Sequence, residues 1–149
     1  MSSDLRYFVI IVGCGRLGSY IANKLSHSGH SVVVIDSRES AFNALSSEYS
    51  GFRLEGDATE FDVLKQAKTD QADVLIATTH EDNVNVMVAQ VAKKLFHVPR
   101  VMARVFDLKR EKVYHHLGIE TVSPTLIAGD VFLESITTSP IAKREGIGL

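Results

Sequence analysis

The chain has 149 residues, 45% apolar and 23% charged, with a formal net charge of −2 and one cysteine. That size fits one hydrophobic core, and the interspersed charges exclude a polybasic nucleic-acid or membrane surface. No run approaches the roughly 20 apolar residues of a membrane span, a single cysteine excludes an internal disulfide framework, and the polar start Met1–Arg6 does not read as a signal peptide, so a cytosolic location is expected.

The first strand is predicted over Phe8–Val12 and runs into Gly13-Cys14-Gly15-Arg16-Leu17-Gly18, with a helix over Leu17–Ser28. In this GxGxxG pattern Gly13 permits the tight turn. Gly15 lets a pyrophosphate approach the backbone, and Gly18 lets the helix pack closely on the sheet. The helix N-terminus aims free N–H groups and the positive end of its dipole at the phosphates, so the whole run from Gly13 to Gly18 is a candidate phosphate cradle. Arg16 is open to two readings, a solvated surface residue or a guanidinium clamp over a phosphate. Cys14 lies where a helix N-terminus lowers a thiol pKa, which permits a redox role; the plainer reading is a small residue filling a variable position.

The second strand is predicted over Ser31–Asp36. Asp36 stands 18 residues after Gly18, placed to accept the ribose hydroxyls of an adenosine. Its charge disfavours a 2′-phosphate, so NAD, ATP, ADP and AMP are preferred to NADP. Ser37 and Arg38 follow on the same rim. Arg38 is the competing signal, since an arginine there accommodates a 2′-phosphate; it serves equally well as the start of a solvated helix face. A helix is expected over Glu39–Tyr49, then a third strand over Phe52–Glu55.

Gly56-Asp57-Ala58-Thr59 comes next. Asp57 and the Ala58 backbone are candidates for the adenine edge, while Thr59 with Asp62 resembles the cap of a helix over Phe61–Ala67. The fourth strand, Val74–Ala77, opens into Thr78-Thr79-His80-Glu81-Asp82-Asn83. Thr78, Thr79, His80 and Asn83 would line the opposite wall of a crevice; His80 reads either as a general base or as a solvated loop residue. In the helix expected over Asp82–Phe96, residues Val84, Met87, Val88, Val91 and Leu95 form one apolar stripe toward the sheet.

A fifth strand, Arg100–Arg104, points Arg104 at the same crevice, within reach of a phosphate. A helix over Leu108–Leu117, a sixth strand over Glu120–Ser123 and a helix over Thr125–Thr138 complete the chain. In that last helix Leu126, Ile127, Ala128, Val131, Phe132, Leu133 and Ile136 cover most of the circumference. Such breadth reads either as a helix in the core of a larger protein or as one whose exposed side another subunit or domain covers. The remaining histidines show no metal-ligand spacing, so no zinc site is expected. Strands alternating with helices imply a Rossmann-like doubly wound sheet of six parallel strands. Right-handed crossovers with the glycine turn after the first strand favour the order 3-2-1-4-5-6.

Taken together, GxGRxG at Gly13–Gly18, Val34-Ile35-Asp36, Gly56–Thr59, the run Thr78–Asn83 and Ala103-Arg104 resemble the RCK N-terminal domain, also called the KTN or TrkA-N domain, from about Tyr7 to about Ser139. The resemblance implies one domain over 1–149, with a core over 7–123 and a crossover and dimerisation helix over about 124–139. It implies a ligand-sensing regulator rather than an enzyme. Such a domain would bind NAD(H) or ATP, ADP or AMP, pair through its last helix and assemble in rings on the cytosolic face of an integral-membrane potassium transporter or channel of the Trk and Ktr type. By position, Arg16 and Arg104 would meet phosphates, Asp36 the ribose, and Asp57 with Ala58 the adenine. Two departures stand out. Thr125 replaces the acidic residue that follows the helix-opening proline in many relatives, so a cation site is not expected there. No second RCK subdomain is recognised within the 149 residues, which fits either a single-domain member or part of a longer regulator.

The alternative is a fragment of an NAD-dependent oxidoreductase. A hydride enzyme needs substrate room and an acid/base group beside the nicotinamide. His80 is the one plausible base. A nucleotide-binding fragment of some other multidomain protein is the third reading.

Overall fold

A computed structural model describes residues 5–139 and 141–144. β1 (Phe8–Val12), β2 (Ser31–Asp36), β3 (Phe52–Glu55), β4 (Val74–Ala77), β5 (Arg100–Arg104) and β6 (Glu120–Val122) form one six-stranded sheet in the order β3-β2-β1-β4-β5-β6. All pairings are parallel, with Val9 opposite both Val32 and Val74. This is the expected Rossmann-like order, and it reverses between β1 and β4, the point where such sheets open a crevice. The apolar runs of β1 and β2 have no polar face because both faces are covered. Val9 and Ile11 pack to one side with Val32, Val34, Ala22 and Phe42. Ile10 and Val12 pack to the other with Val33, Ile35, Leu64, Leu75 and Val88.

The helices are α1 (Arg16–His27), α2 (Phe61–Gln66), α3 (Asp82–Lys94), α4 (Glu111–His116) and α5 (Pro124–Thr138). Several depart from expectation. The helix predicted over Glu39–Tyr49 shrinks to a 3₁₀ segment, Glu39–Ala44. Polar side chains there take backbone groups away from helical partners. Asn23 Oδ1 accepts from the Ser46 amide at 2.9 Å, and the Tyr49 hydroxyl lies 2.9 Å from the Phe52 carbonyl and 3.2 Å from that of Val32. The helix predicted over Leu108–Leu117 divides into a 3₁₀ turn, Leu108–Arg110, and α4. Thr59 does not cap α2. Its hydroxyl donates to Asp57 Oδ1 at 2.7 Å, and Glu60 occupies the cap position without a side-chain bond.

The apolar stripe of α3 is also displaced. Met87 is 40% and Leu95 60% exposed, whereas Asn85, Val88, Ala89 and Ala92 are buried. The buried ray has the expected i, i+3, i+4, i+7 spacing, but it starts on an asparagine, which a search for apolar residues passes over. Ser123, expected to end the sixth strand, instead caps α5: its Oγ accepts from the Leu126 amide at 3.2 Å, and Pro124 occupies the first turn. No residue of α5 is buried; Leu126, Ile127, Val131, Phe132, Leu133 and Ile136 are 50–73% exposed. On the sheet face that α1 covers over β1 and β2, Val74 and Ile76 of β4 and Met102 of β5 stay only partly buried. No described helix is long and apolar enough to cross a membrane.

Candidate functional site

The site is assembled at the carboxyl ends of β1 to β5. Gly13 adopts φ +101°, a left-handed value that favours glycine, and its amide donates to the Ile35 carbonyl at 2.8 Å. The first bond inside α1 runs from the Ser19 amide to the Gly15 carbonyl at 2.9 Å. The amides of Arg16, Leu17 and Gly18 therefore lack helical partners and face outward at the positive end of the helix. A Cβ built on Gly15 meets nothing within 4 Å, so the backbone there is open to a ligand. A Cβ on Gly18 would lie 1.9 Å from the Gly13 carbonyl oxygen. Two glycines of one motif thus do different work: one leaves space, the other allows contact.

Asp36 joins two rims. Its Oδ2 accepts from the Cys14 amide at 2.8 Å and its Oδ1 from the Arg38 amide at 2.9 Å. An ionised carboxylate has about four acceptor sites, so two remain for hydroxyls. The Asp36 carbonyl takes the Gly56 amide at 2.9 Å, which brings the β3 loop alongside. There Asp57 Oδ1 accepts from both the Thr59 amide and hydroxyl, and these bonds, the hydroxyl's first, hold the Asp57 carboxyl below its ordinary pKa. The Ala58 side chain is buried in the core.

Across the crevice, Thr78 ties β4 to the glycine loop. Its amide and hydroxyl reach the Val12 carbonyl at 2.8 and 3.0 Å, and the hydroxyl also lies 3.2 Å from the Gly13 carbonyl. Arg104 donates through Nη2 to the Thr79 carbonyl at 2.7 Å, with His80 Nδ1 at 3.5 Å. Its guanidinium lies 4.8 Å from the Phe106 ring centroid. Arg104 Nε is buried without a partner, and burial lowers the pKa of the group. Hydrogen bonds, with the peptide links Gly13–Cys14 and Thr78–Thr79 between them, thus connect Gly56 through Asp36, Cys14, Gly13, Thr78 and Thr79 to Arg104. Arg16, Ser37 and Asn83 remain exposed on this rim, as does the side chain of Arg38.

The expectation for the Cys14 thiol is reversed. Its side chain is buried, and desolvation, reinforced by the Asp36 charge, pushes its pKa up to about 11. The Cys14 amide donates to Asp36 and the sulfur packs into the core, so the packing reading holds and redox reactivity is disfavoured. Asn85, wholly buried behind Thr79, is a further member of the site that no sequence motif marks. Its only signal was its position on the inward ray of α3. A second concavity of about 620 Å³ lies at the opposite strand ends, lined by residues such as Phe8, Val33, Leu54 and Lys68. It contains none of the predicted site residues. The convergence of backbone donors makes the crevice the stronger site. Among the described residues no group of three or more His, Cys, Asp or Glu side chains is arranged to hold a metal.

The TrkA-N domain model matches residues 9–124, from the first strand to the start of α5. The chain belongs to the TrkA-N domain family. The Streptomyces coelicolor protein "Trk system potassium uptake protein TrkA" is 37% identical over 131 residues, 88% of this chain and 59% of that protein. This TrkA-N chain therefore spans less than two-thirds of that relative. The TrkA-N domain of the Escherichia coli inner membrane protein ybaL matches with a TM-score of 0.78 at 22% identity, over 89% of this chain and 98% of that one. The GsuK channel bound to NAD gives 0.74 at 23% identity, over 88% and 23% of the two chains. The Shewanella denitrificans Kef CTD in AMP-bound form gives 0.73 at 23%, over 88% and 80%. At such identities these structures attest the fold of the TrkA-N chain.

Proposed function

We propose that this domain is the nucleotide-sensing part of a regulator of a Trk- or Ktr-type potassium transporter or channel, acting on the cytosolic side of the membrane. It binds NAD(H) or ATP, ADP or AMP with the phosphates on the Gly13–Gly18 loop, the ribose on Asp36 and the adenine at Asp57 and Ala58. It pairs with a second copy through α5. The observation that carries the reading is the juxtaposition of outward amides at the start of α1, open space over Gly15 and a carboxylate one hydrogen bond away with acceptor capacity to spare. Arg104 adds a donor without a partner on the far wall. The relative named above is a potassium uptake protein, and two similar folds carry NAD and AMP. The exposed apolar residues of α5 supply the pairing surface. The oxidoreductase alternative has no comparable support: His80, its candidate base, is exposed, and among the described residues its side chain has one hydrogen-bond partner, Arg104 Nη2 at 3.5 Å.

Isothermal titration with NAD, NADH, ATP, ADP and AMP tests this. At least one ligand is expected to bind, and Asp36→Ala is expected to weaken it by about 10-fold or more, the loss of hydrogen bonds to a charged group. A thermal melt of the same variant separates that loss from unfolding, because Asp36 also holds the Cys14 and Arg38 amides. Silence from all five ligands, or an affinity indifferent to Asp36→Ala in a folded protein, overturns the reading.

A further inference from the structure

Asn85 is a polar side chain with no exposure at all, in the first turns of α3, and every hydrogen-bonding group it has is used. Its Oδ1 accepts from the Thr79 amide at 2.8 Å and the Thr79 hydroxyl at 2.6 Å. Its Nδ2 donates to the Thr79 carbonyl at 2.9 Å and the Arg104 carbonyl at 2.9 Å. The network fixes the amide orientation, since a flipped amide would turn its NH₂ toward the Thr79 N–H. Three residues earlier, at the start of α3, Asp82 accepts from the amides of Phe106 and Asp107, the closest at 2.8 Å. The start of α3 therefore grips the chain on both sides of Val105.

The Thr79 carbonyl is shared. It accepts from Asn85 Nδ2 and from Arg104 Nη2 together. Arg104 meanwhile keeps its Nε buried and unpartnered while its plane rests on Phe106. A guanidinium offers five donors in a fixed fork, and here that fork is under-used. A phosphate oxygen supplies the missing acceptor. Were Arg104 to turn toward it, the Thr79 carbonyl would lose one donor, and burial punishes a carbonyl left with none. Asn85 removes that penalty because its own bond stays in place.

Resting on the nucleotide reading above, we infer that Asn85 is a positioning residue for the phosphate end of the ligand: it fixes the backbone of Arg104 and holds the Thr79 carbonyl, so that the guanidinium is free to move onto a phosphate. Asn85 touches no ligand itself. Its effect is therefore specific to ligands that carry a phosphate and vanishes when Arg104 is gone.

Titration of adenosine and AMP into the wild type, Asn85→Ser, Arg104→Ala and the double variant tests it. Asn85→Ser is expected to weaken AMP about 10-fold and adenosine less than twofold, and to add nothing to Arg104→Ala. Equal losses for adenosine and AMP, or losses that multiply in the double variant, overturn the inference and leave Asn85 a structural residue. Because Asn85→Ser risks misfolding, the wild type supplies an independent reading. The side-chain NH₂ resonance of Asn85 is expected to shift on saturation with AMP and to stay put with adenosine; a resonance indifferent to AMP overturns the inference by itself. Where another of the five nucleotides binds the wild type and AMP does not, that nucleotide replaces AMP in these titrations; if none of the five binds, the nucleotide reading falls and takes this one with it.

Discussion

Gly15 and Gly18 belong to one motif, yet their alanine variants should fail in different ways. At Gly18 an added Cβ lies 1.9 Å from the Gly13 carbonyl oxygen and 2.8 Å from Thr78 Oγ1. Ordinary contact starts at 3.4 Å, so α1 has to lift from the β1 turn by about 1.5 Å. Neither neighbour yields easily: the Thr78 hydroxyl is bonded to the Val12 carbonyl at 3.0 Å and lies 3.2 Å from the Gly13 carbonyl. Overpacking of this kind costs about 1–3 kcal/mol, and at about 2–4 °C per kcal/mol for a chain of this size Gly18→Ala should melt roughly 2–12 °C below the wild type. Gly15→Ala meets nothing within 4 Å. Replacing glycine by alanine at a helix cap costs on the order of 1 kcal/mol or less, so its melting point should stay within a few degrees. Its new methyl group does occupy the approach to the outward amides, and nucleotide affinity should fall about 10-fold or more. Differential scanning calorimetry and titration of the same preparations read both quantities. A Gly18→Ala protein that melts with the wild type refutes the packing argument. A Gly15→Ala protein with unchanged affinity refutes the placing of the phosphates over that residue.

Two further outcomes follow from the surface and from the buried thiol. Phe132→Glu, at a position 73% exposed in the middle of α5, should convert a dimer to a monomer in light scattering at micromolar concentration without lowering the yield of folded protein; covering a phenylalanine contributes about 1.5–3 kcal/mol, and a carboxylate there reverses the sign. A wild type that is already monomeric removes the pairing role of α5. For Cys14 the folded pKa, about 11, lies above the ordinary 9.0. The stabilising effect of keeping the thiol neutral is fully present below pH 9 and is lost as the pH climbs toward 11, where the unfolding constant should rise by nearly tenfold per unit. Tyr49, also raised by burial from its ordinary 10.0, adds to the loss above pH 10 in both proteins. Urea titrations of wild type and Cys14→Ala between pH 8 and 11 measure the slope, and identical slopes count against a buried thiol.

The strands were legible because β1, β2, β4 and β5 are apolar runs bounded by glycine or polar turns, and a strand buried on both faces needs nothing else. The loops after them were legible for a related reason: a parallel sheet puts every strand's carboxyl end on one side, so Asp36, Thr78 and Arg104 converge once the order is known. What stayed hidden depends on partners distant in sequence. The segment after Arg38 has helical apolar spacing, yet Asn23 and the carbonyls of Val32 and Phe52 claim its polar groups. Hydropathy counts the Asn85 amide as polar and gives no sign of its burial, whereas Thr79 and Arg104 satisfy that amide completely. The Cys14 error has the same origin. The helix terminus was visible in the sequence; that Asp36 would take the amide and the core the sulfur was not.

A sensor has to do more than bind, and the fold supplies a short route from the crevice to α5. The Arg104 carbonyl is held by Asn85, and the next residue, Val105, donates its amide to the Val122 carbonyl at 3.0 Å. Val122 precedes Ser123, whose hydroxyl caps α5. Any backbone adjustment at Arg104 therefore reaches the first turn of the exposed helix through two hydrogen bonds and no flexible linker. Proximity of this kind is necessary for coupling but does not create it. A nucleotide shifts the pairing of α5 only by the difference in its affinity for the paired and unpaired forms, and pairing must alter nucleotide affinity by the same factor. Arg104 is the group through which such a difference would enter. It combines a buried donor that has no partner with a main-chain position that bears on β6, so ligands that differ in their phosphates, rather than in their adenosine, are the ones expected to produce opposite effects on α5.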